Sequence, residues 1–424
     1  MVALICDLRR LTSGFTMKIL FLTQWFQPES FFKGLPFAKA LKAKGHDVEV
    51  LTGFPNYPSG KVYAGYRIRL YQREVIDGVT VHRVPLYPSH DKSALRRMVN
   101  YMSFCLSAFF IGVWLVKKPD IIYVYNLVTL GPAAYLLRFL CGAKVIIDVQ
   151  DLWPQSVASS GMMLNKRILT FLSVICDWVY RKADQVVVLS PGFKDHLGVR
   201  GVSTEKIKVI YNWCDESSLQ KRGVMRHKNE SEYASKFIIL YAGAMGAVQG
   251  LHTLLECAAI CKNELPDVHF ILIGDGADRR RLEELTVKMN LDNVTFMPRR
   301  SPESMNEVYD LADALIVHLQ DDPLFRITIP SKTQAYLYMG KPVIMAMLGD
   351  AAELVRRAGA GVICEPENPR AMTDAVRALN TLNKDERRAM GQAGLRYYME
   401  HLSFAQGVKK FENIMMSVIE HNKA

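Results

Sequence analysis

The stretch FRITIPSKTQAYLYMGKPVIM, Phe325–Met345, decides how the second half of the chain is read. Ser331-Lys332-Thr333-Gln334 fits the S/T-x-x-E/Q capping box, so the spacing predicts a helix capped by Ser331. Gly340 followed by Pro342 predicts its stop. The apolar run ADALIVHL precedes the stretch, and PVIMAM closes it. Strand, loop, helix, strand is one βαβ unit. The loop and helix N-terminus of such a unit favour anions, because unpaired N–H groups and the helix dipole point there. Arg326 and Lys332 crowd that start. Position alone leaves two readings open: an anion clamp, or solvated surface charges.

Working outward, strands and helices alternate almost throughout. KILFLTQ, DVEVLTG, DIIYVYN, AKVIIDVQD, ADQVVVLS and IKVIYNW are short apolar strands separated by helical segments. Such runs, apolar on both faces, indicate a buried parallel sheet. Within this series REVIDGVTVHRVPL reads as a hairpin turning at Asp77-Gly78. A polar passage without apolar period follows, and then a second series: FIILYAG, VHFILIGDG, VTFMP, ADALIVHL, PVIMAM and GAGVICEP. The expected organisation is an extension at 1–16, an α/β domain at 17–213, a linker at 214–236, a second α/β domain at 237–395 and a helical tail at 396–424. Both domains are expected to be doubly wound, with ligands outside the carboxyl ends of the strands and the cleft between domains as the default active site.

At 424 residues, half of them apolar, the chain has room for two or three domains with large cores. Its eight cysteines lie mostly in apolar contexts without C-x-x-C pairs, which predicts reduced core thiols. The net charge of +11 is uneven: residues 1–215 hold 27 Lys and Arg against 15 Asp and Glu, and residues 216–424 hold 26 against 27. A basic first half points to anionic partners. No nucleic-acid-binding module is recognisable, which argues against nucleic acid. The first sixteen residues lack the long apolar run and cleavage site of a signal peptide. YMSFCLSAFFIGVWLV, Tyr101–Val116, is shorter than the roughly 20 residues that a span needs. Arg96 and Arg97 precede it, and Lys117 and Lys118 follow. It reads either as a buried helix or as an element dipping into an anionic membrane face, with Arg96 and Arg97 meeting lipid phosphates; peripheral membrane contact is the expectation.

From Met17 to the tail the sequence resembles the GT-B glycosyltransferases of the large retaining family 4, the bacterial group that builds O-antigen, capsule and related lipopolysaccharide-type polymers. FLTQWFQPES and LPFAKALKAKGHDVEVLTG are similar to the family's opening, and DVQDLWPQS to its D-x-x-D-L-W-P turn. ADQVVVLSPGFKDHL with KIKVIYNWCD resembles the close of its first domain, and YAGAMGAVQGLHTLLECA the opening of its second. IPSKTQAYLYMGKPVIMAMLGDAAELVRRAGAGVICEP resembles its donor-binding end. The similar subgroup includes transferases of acetamido-deoxy sugars such as L-fucosamine. The resemblance implies two Rossmann-like domains facing each other across a cleft. It also implies retaining transfer from a nucleotide diphosphate sugar, with a UDP-linked donor expected, to a lipid-linked or oligosaccharide acceptor.

The chain departs from the family where charge is expected. Gly243-Ala244-Met245-Gly246-Ala247-Val248-Gln249-Gly250 lacks the Arg and Lys of the family's G-R-L-x-x-x-K-G, and Ile327 and Ala335 stand where it carries two glutamates. Gln150 stands where a histidine often precedes the aspartate. The expectation is that the charges have moved. Arg326 and Lys332 would clamp the pyrophosphate, Arg299 and Arg300 would assist, and Gly243 and Gly246 would let backbone approach phosphate. Met245, Gln249, Ser331, Gln334 and Glu353 complete the expected donor site, Glu353 from a G-G-x-x-E-like motif. Asp151 is the expected first-domain catalytic residue, with a helix-capping role as the alternative. Lys33 and Gly34 are placed on the diphosphate side, and Asn56 and Tyr57 on the acceptor side. No Asp-x-Asp motif ends a strand, so no metal and no other cofactor is expected. Two rival readings stay open: a UDP-N-acetylglucosamine 2-epimerase of the same architecture, and a non-catalytic scaffold. The expected location is cytoplasmic, peripheral on the inner face of the cell membrane.

Overall fold

The computed structural model describes residues 16–29, 33–89, 94–155, 166–220, 233–301 and 304–420. Nearly all of the expected extension and the middle of the expected linker lie outside these residues. The chain divides into two compact units, one of 1–189, 193–210 and 408–424, the other of 190–192 and 211–407.

The first unit is built on an eight-stranded sheet. Its strands are β1 (Lys18–Leu22), β2 (Asp47–Gly53), β3 (Gln72–Ile76), β4 (Val79–Val84), β5 (Ile121–Tyr125), β6 (Lys144–Val149), β7 (Gln185–Val188) and β8 (Ile207–Val209), in the order β3-β4-β2-β1-β5-β6-β7-β8. Every pairing is parallel except β3–β4. That hairpin turns at Asp77 and Gly78, both at positive φ (46° and 80°), as a tight primed turn requires. The β5 sequence IIYVY is buried at every position, because helices cover both faces. The sheet reverses its winding between β1 and β5, so segments leaving β1, β5 and β6 gather at one sheet end.

The expected separate tail is divided. Helix Lys384–His401 stays with the second unit, whereas helix Phe404–Glu420 joins the first from Val408 onward. There the Phe411 ring meets Phe37 at 5.3 Å and Tyr123 at 5.6 Å, and Glu412 pairs with Lys44 at 2.7 Å.

The second unit holds β9 (Phe237–Ala242), β10 (Val268–Ile273), β11 (Val294–Met297), β12 (Ala314–His318), β13 (Val343–Ala346) and β14 (Gly361–Cys364). All pairings are parallel, in the order β11-β10-β9-β12-β13-β14. Counted from β9 this is 3-2-1-4-5-6, the doubly wound dinucleotide-binding order, with its switch point between β9 and β12. The predicted helix forms at Ser331–Tyr338, but Pro330 takes the N-cap position and makes no side-chain cap. Proline fixes its own φ near −60° and cannot donate, so it starts the helix one residue earlier than the capping-box reading. Gln334 is buried within the helix.

Candidate active site

In the second unit the loops leaving β9 and β10 lie directly on one another. Gly243 N–H donates to the Ile273 carbonyl at 2.9 Å, and Met245 N–H to the Asp275 carbonyl at 2.9 Å. A Cβ on Gly274 would stand 1.8 Å from the Gly243 carbonyl oxygen, so only glycine permits this approach. The two loops edge a cavity of about 380 Å³, within the size range of small-molecule sites. Gly243, Ala244, Gly274 and Asp275 supply its backbone wall, Ile273, Met305 and Tyr309 its apolar and aromatic wall, and Arg299 and Arg300 its cationic side. Both arginines are exposed, and among the described residues neither forms an ion pair.

Lys332 lies beside Gly243, one of the residues that line this cavity. Its Nζ donates to the Tyr241 hydroxyl at 2.7 Å and sits 4.0 Å from the centre of that ring. It also lies 3.0 Å from where a Gly243 Cβ would be. The Tyr241 hydroxyl in turn donates to the Ala244 carbonyl at 2.6 Å, which ties the lysine to the β9 loop. Burial pushes the Lys332 ammonium down to about 7, and no carboxylate among the described residues offsets its lost hydration.

Other members of the expected donor set have different employment. The Arg326 guanidinium makes two hydrogen bonds to Asp321, at 2.8 and 2.7 Å, at an exposed position. It therefore does not join Lys332 as a bare cation. Met245 is a core residue with no exposed surface. The Gln249 side chain folds back to accept the Gly246 N–H at 2.9 Å, so both shape the turn after β9. Glu353 is partly exposed and ion-paired to Arg356 and Arg357, which hold its carboxyl below the usual range, Arg357 foremost. Ser331 is exposed at the first helical position.

In the first unit Asp151 follows β6 and reaches solvent, and no ion pair holds it among the described residues. Protein packed around the carboxyl nevertheless raises it above the ordinary aspartate range. Beside it runs an aromatic chain: Trp153 meets Tyr101 at 5.7 Å, Tyr101 meets Trp25 at 6.0 Å, and Trp25 meets Tyr57 at 5.8 Å.

The expected diphosphate contact of Lys33 is corrected by the structure. Its side chain is 1% exposed, paired with Asp148 at 2.6 Å and covered by the Phe411 ring at 4.7 Å. Burial lowers its ammonium, and attraction to Asp148 opposes that. Gly34 stands at the N-cap of helix Leu35–Ala43, with φ of −103°. The buried Glu29 carboxylate, which sequence reasoning passed over, accepts the backbone N–H groups of Asn56 and Tyr57, both at 2.7 Å. Asn56 is itself buried and bonded to Phe54, so of that pair only Tyr57 offers a partly open surface. Arg96 is exposed; Arg97 is half-buried with an unpartnered, enclosed Nε. Among the described residues no helix is long and apolar enough to cross a membrane.

Comparison with known proteins agrees with this architecture. Residues 35–213 match the glycosyl transferase 4-like domain, and residues 226–396 match the glycosyl transferases group 1 domain. The chain is 28% identical over 358 residues to WcaI of Escherichia coli K12, named as a colanic acid biosynthesis glycosyl transferase, covering 81% of this chain and 86% of that one. Sucrose-phosphate synthase from Thermosynechococcus elongatus shares the fold with a TM-score of 0.71 at 17% identity, over 95% of this chain and all of that one (100%). HepE of Anabaena, solved in complex with UDP-glucose, does so with a TM-score of 0.67 at 16% identity, over 95% and 100%. The chain thus carries a glycosyl transferase 4-like domain followed by a glycosyl transferases group 1 domain, on two Rossmann-like units of the GT-B fold.

Proposed function

We propose that the chain moves a sugar from a nucleotide diphosphate donor to a lipid-linked or oligosaccharide acceptor during bacterial polysaccharide assembly, with retention of configuration. The observation that carries this reading is the second-unit cavity, where, among the described residues, Arg299 and Arg300 stand without carboxylate partners and Lys332 lies beside the lining Gly243. Apolar and aromatic groups there suit a base. The cations suit a diphosphate, whose leaving charge Lys332 stabilises. That charge comes from side chains, so the reading needs no metal. UDP is the favoured nucleotide, supported by the UDP-glucose complex of the similar HepE. An N-acetylated deoxyhexosamine of L-fucosamine type rests on the sequence resemblance, and polysaccharide assembly on the likeness to WcaI. Asp151 positions a sugar or acceptor hydroxyl, and the partly exposed Tyr57 and Tyr101, backed by the buried Trp25 and Trp153, supply a stacking surface beside it. The protein works at the inner face of the cell membrane. Because the matched domains are those of glycosyl transferases, the epimerase reading is set aside.

The test is incubation with a panel of UDP-, GDP- and dTDP-sugars, with and without a lipid-linked saccharide acceptor. Nucleotide release coupled to acceptor extension supports the proposal. Conversion of the donor with no acceptor present would contradict it.

A further inference from the structure

Three neighbouring helices of the first unit turn apolar faces outward. On helix Ala94–Phe110, Leu95, Val99, Met102, Leu106 and Phe110 recur every three or four residues, which makes one stripe. All five are exposed, Leu95 by 73% and Phe110 by 64%, whereas Phe104, Cys105 and Ala108 on the other side are buried. Helix Gly131–Cys141 packs beside it and exposes Phe139 and Leu140. Helix Lys166–Lys182 adjoins that one, through the Tyr135 and Trp178 rings at 5.2 Å and the Tyr135 hydroxyl on the Val179 carbonyl. It exposes Phe171, Val174 and Trp178. Trp114, just past the first helix, is 82% exposed. An apolar surface this extensive marks an interaction site.

Charge chooses the occupant. The three helices carry seven Lys and Arg and a single carboxylate, Asp177, which Arg200 holds at 2.6 Å. Lys117 and Lys118 add exposed positive charge beside Trp114. Two copies of such a face would repel one another, whereas an anionic bilayer satisfies both its apolar and its basic parts.

We infer that this three-helix face docks the protein on an anionic lipid bilayer, its leucine and aromatic side chains entering the acyl boundary while Arg96, Lys117 and Arg167 meet lipid phosphates. The inference rests on the reading of a lipid-linked acceptor and names the surface that would bring the enzyme to it.

The full chain is sedimented with vesicles of phosphatidylcholine alone and with added phosphatidylglycerol. Leu106→Glu combined with Phe139→Glu is compared with Val287→Glu, an exposed apolar site in the second unit. Nucleotide binding is measured on every variant as the check on folding. The expected result is binding to the anionic vesicles, weakened at least about tenfold by the double substitution and unchanged by Val287→Glu. Equal binding by the double variant would overturn the inference, as would failure of the parent chain to bind vesicles. A concentration-dependent dimer dissolved by the same substitutions would assign the face to a second copy instead. Nucleotide binding without vesicle binding refutes the docking face alone. Vesicle binding without nucleotide binding refutes the transferase reading and leaves the face standing.

Discussion

Lys332 Nζ lies 2.7 Å from the Tyr241 hydroxyl, on a strand ninety-one positions earlier, with no carboxylate among the described residues to balance its charge. A lysine held this way keeps its proton weakly. A bound anion would restore the missing partner, and several measurable consequences follow from that.

Nucleotide affinity should depend on pH through Lys332. In the folded protein it is about 7 against an ordinary lysine value of 10.5, so between these the unfolded chain binds the extra proton and stability rises with pH. Below about 7 the folded protein bears the full cost of the buried charge. A diphosphate prefers the charged lysine, so its affinity should fall above pH 7, by up to about tenfold per unit. Binding at pH 8 should take up a proton, read by calorimetry in buffers of different ionisation heat. Lys332→Arg should flatten the dependence.

Arg326 and the paired arginines of the cavity should separate cleanly. Arg326→Ala removes a solvent-screened surface ion pair with Asp321 and should leave nucleotide affinity within about twofold. Arg299→Ala with Arg300→Ala removes the cavity's cationic side and should cost about 1.5–3 kcal/mol of binding. Titration of each variant with UDP checks the contrast.

Gly274→Ala should lower stability by about 3 kcal/mol, because the new methyl would collide with the Gly243 carbonyl at a φ of 148°. Thermal or urea unfolding measures it. A neutral result would mean that the two loops are not held together as described.

Lys33 should act on stability rather than on donor binding. Lys33→Met strands the buried Asp148 carboxylate and should cost about 3–5 kcal/mol. Adding Asp148→Asn removes the stranded charge and still leaves an acceptor for the Tyr123 hydroxyl, so part of the loss should return. Denaturant titration of the single and double variants tests this.

What the sequence revealed depended on how local each signal was. Strands such as IIYVY and FIILYA announce themselves because burial on both faces makes every residue apolar. Asp77-Gly78 announces its turn because few pairs accept two positive φ values. Lys332 was found because a charge at a helix start after a sheet strand has few structural uses. Its partner Tyr241 was not, because a tyrosine inside an apolar strand looks like core. Asp148 sits 115 positions from Lys33, and nothing local joins them. Arg326 had its signal nearby, in Asp321-Asp322, but adjacent aspartates gave no hint of facing forward to an arginine. The return of Phe411 to the first unit is tertiary packing that helical periodicity alone does not encode.

The central claim is that the second unit binds a nucleotide diphosphate with Lys332 as a charged contact. Calorimetric titration of UDP, GDP and dTDP into the parent chain and Lys332→Met tests it most directly. The account predicts that one nucleotide binds at neutral pH and that the variant loses at least about 1.5 kcal/mol, the worth of a hydrogen bond to a charged group. A folded parent chain that binds none of the three, or a variant that binds as tightly as the parent, would contradict it.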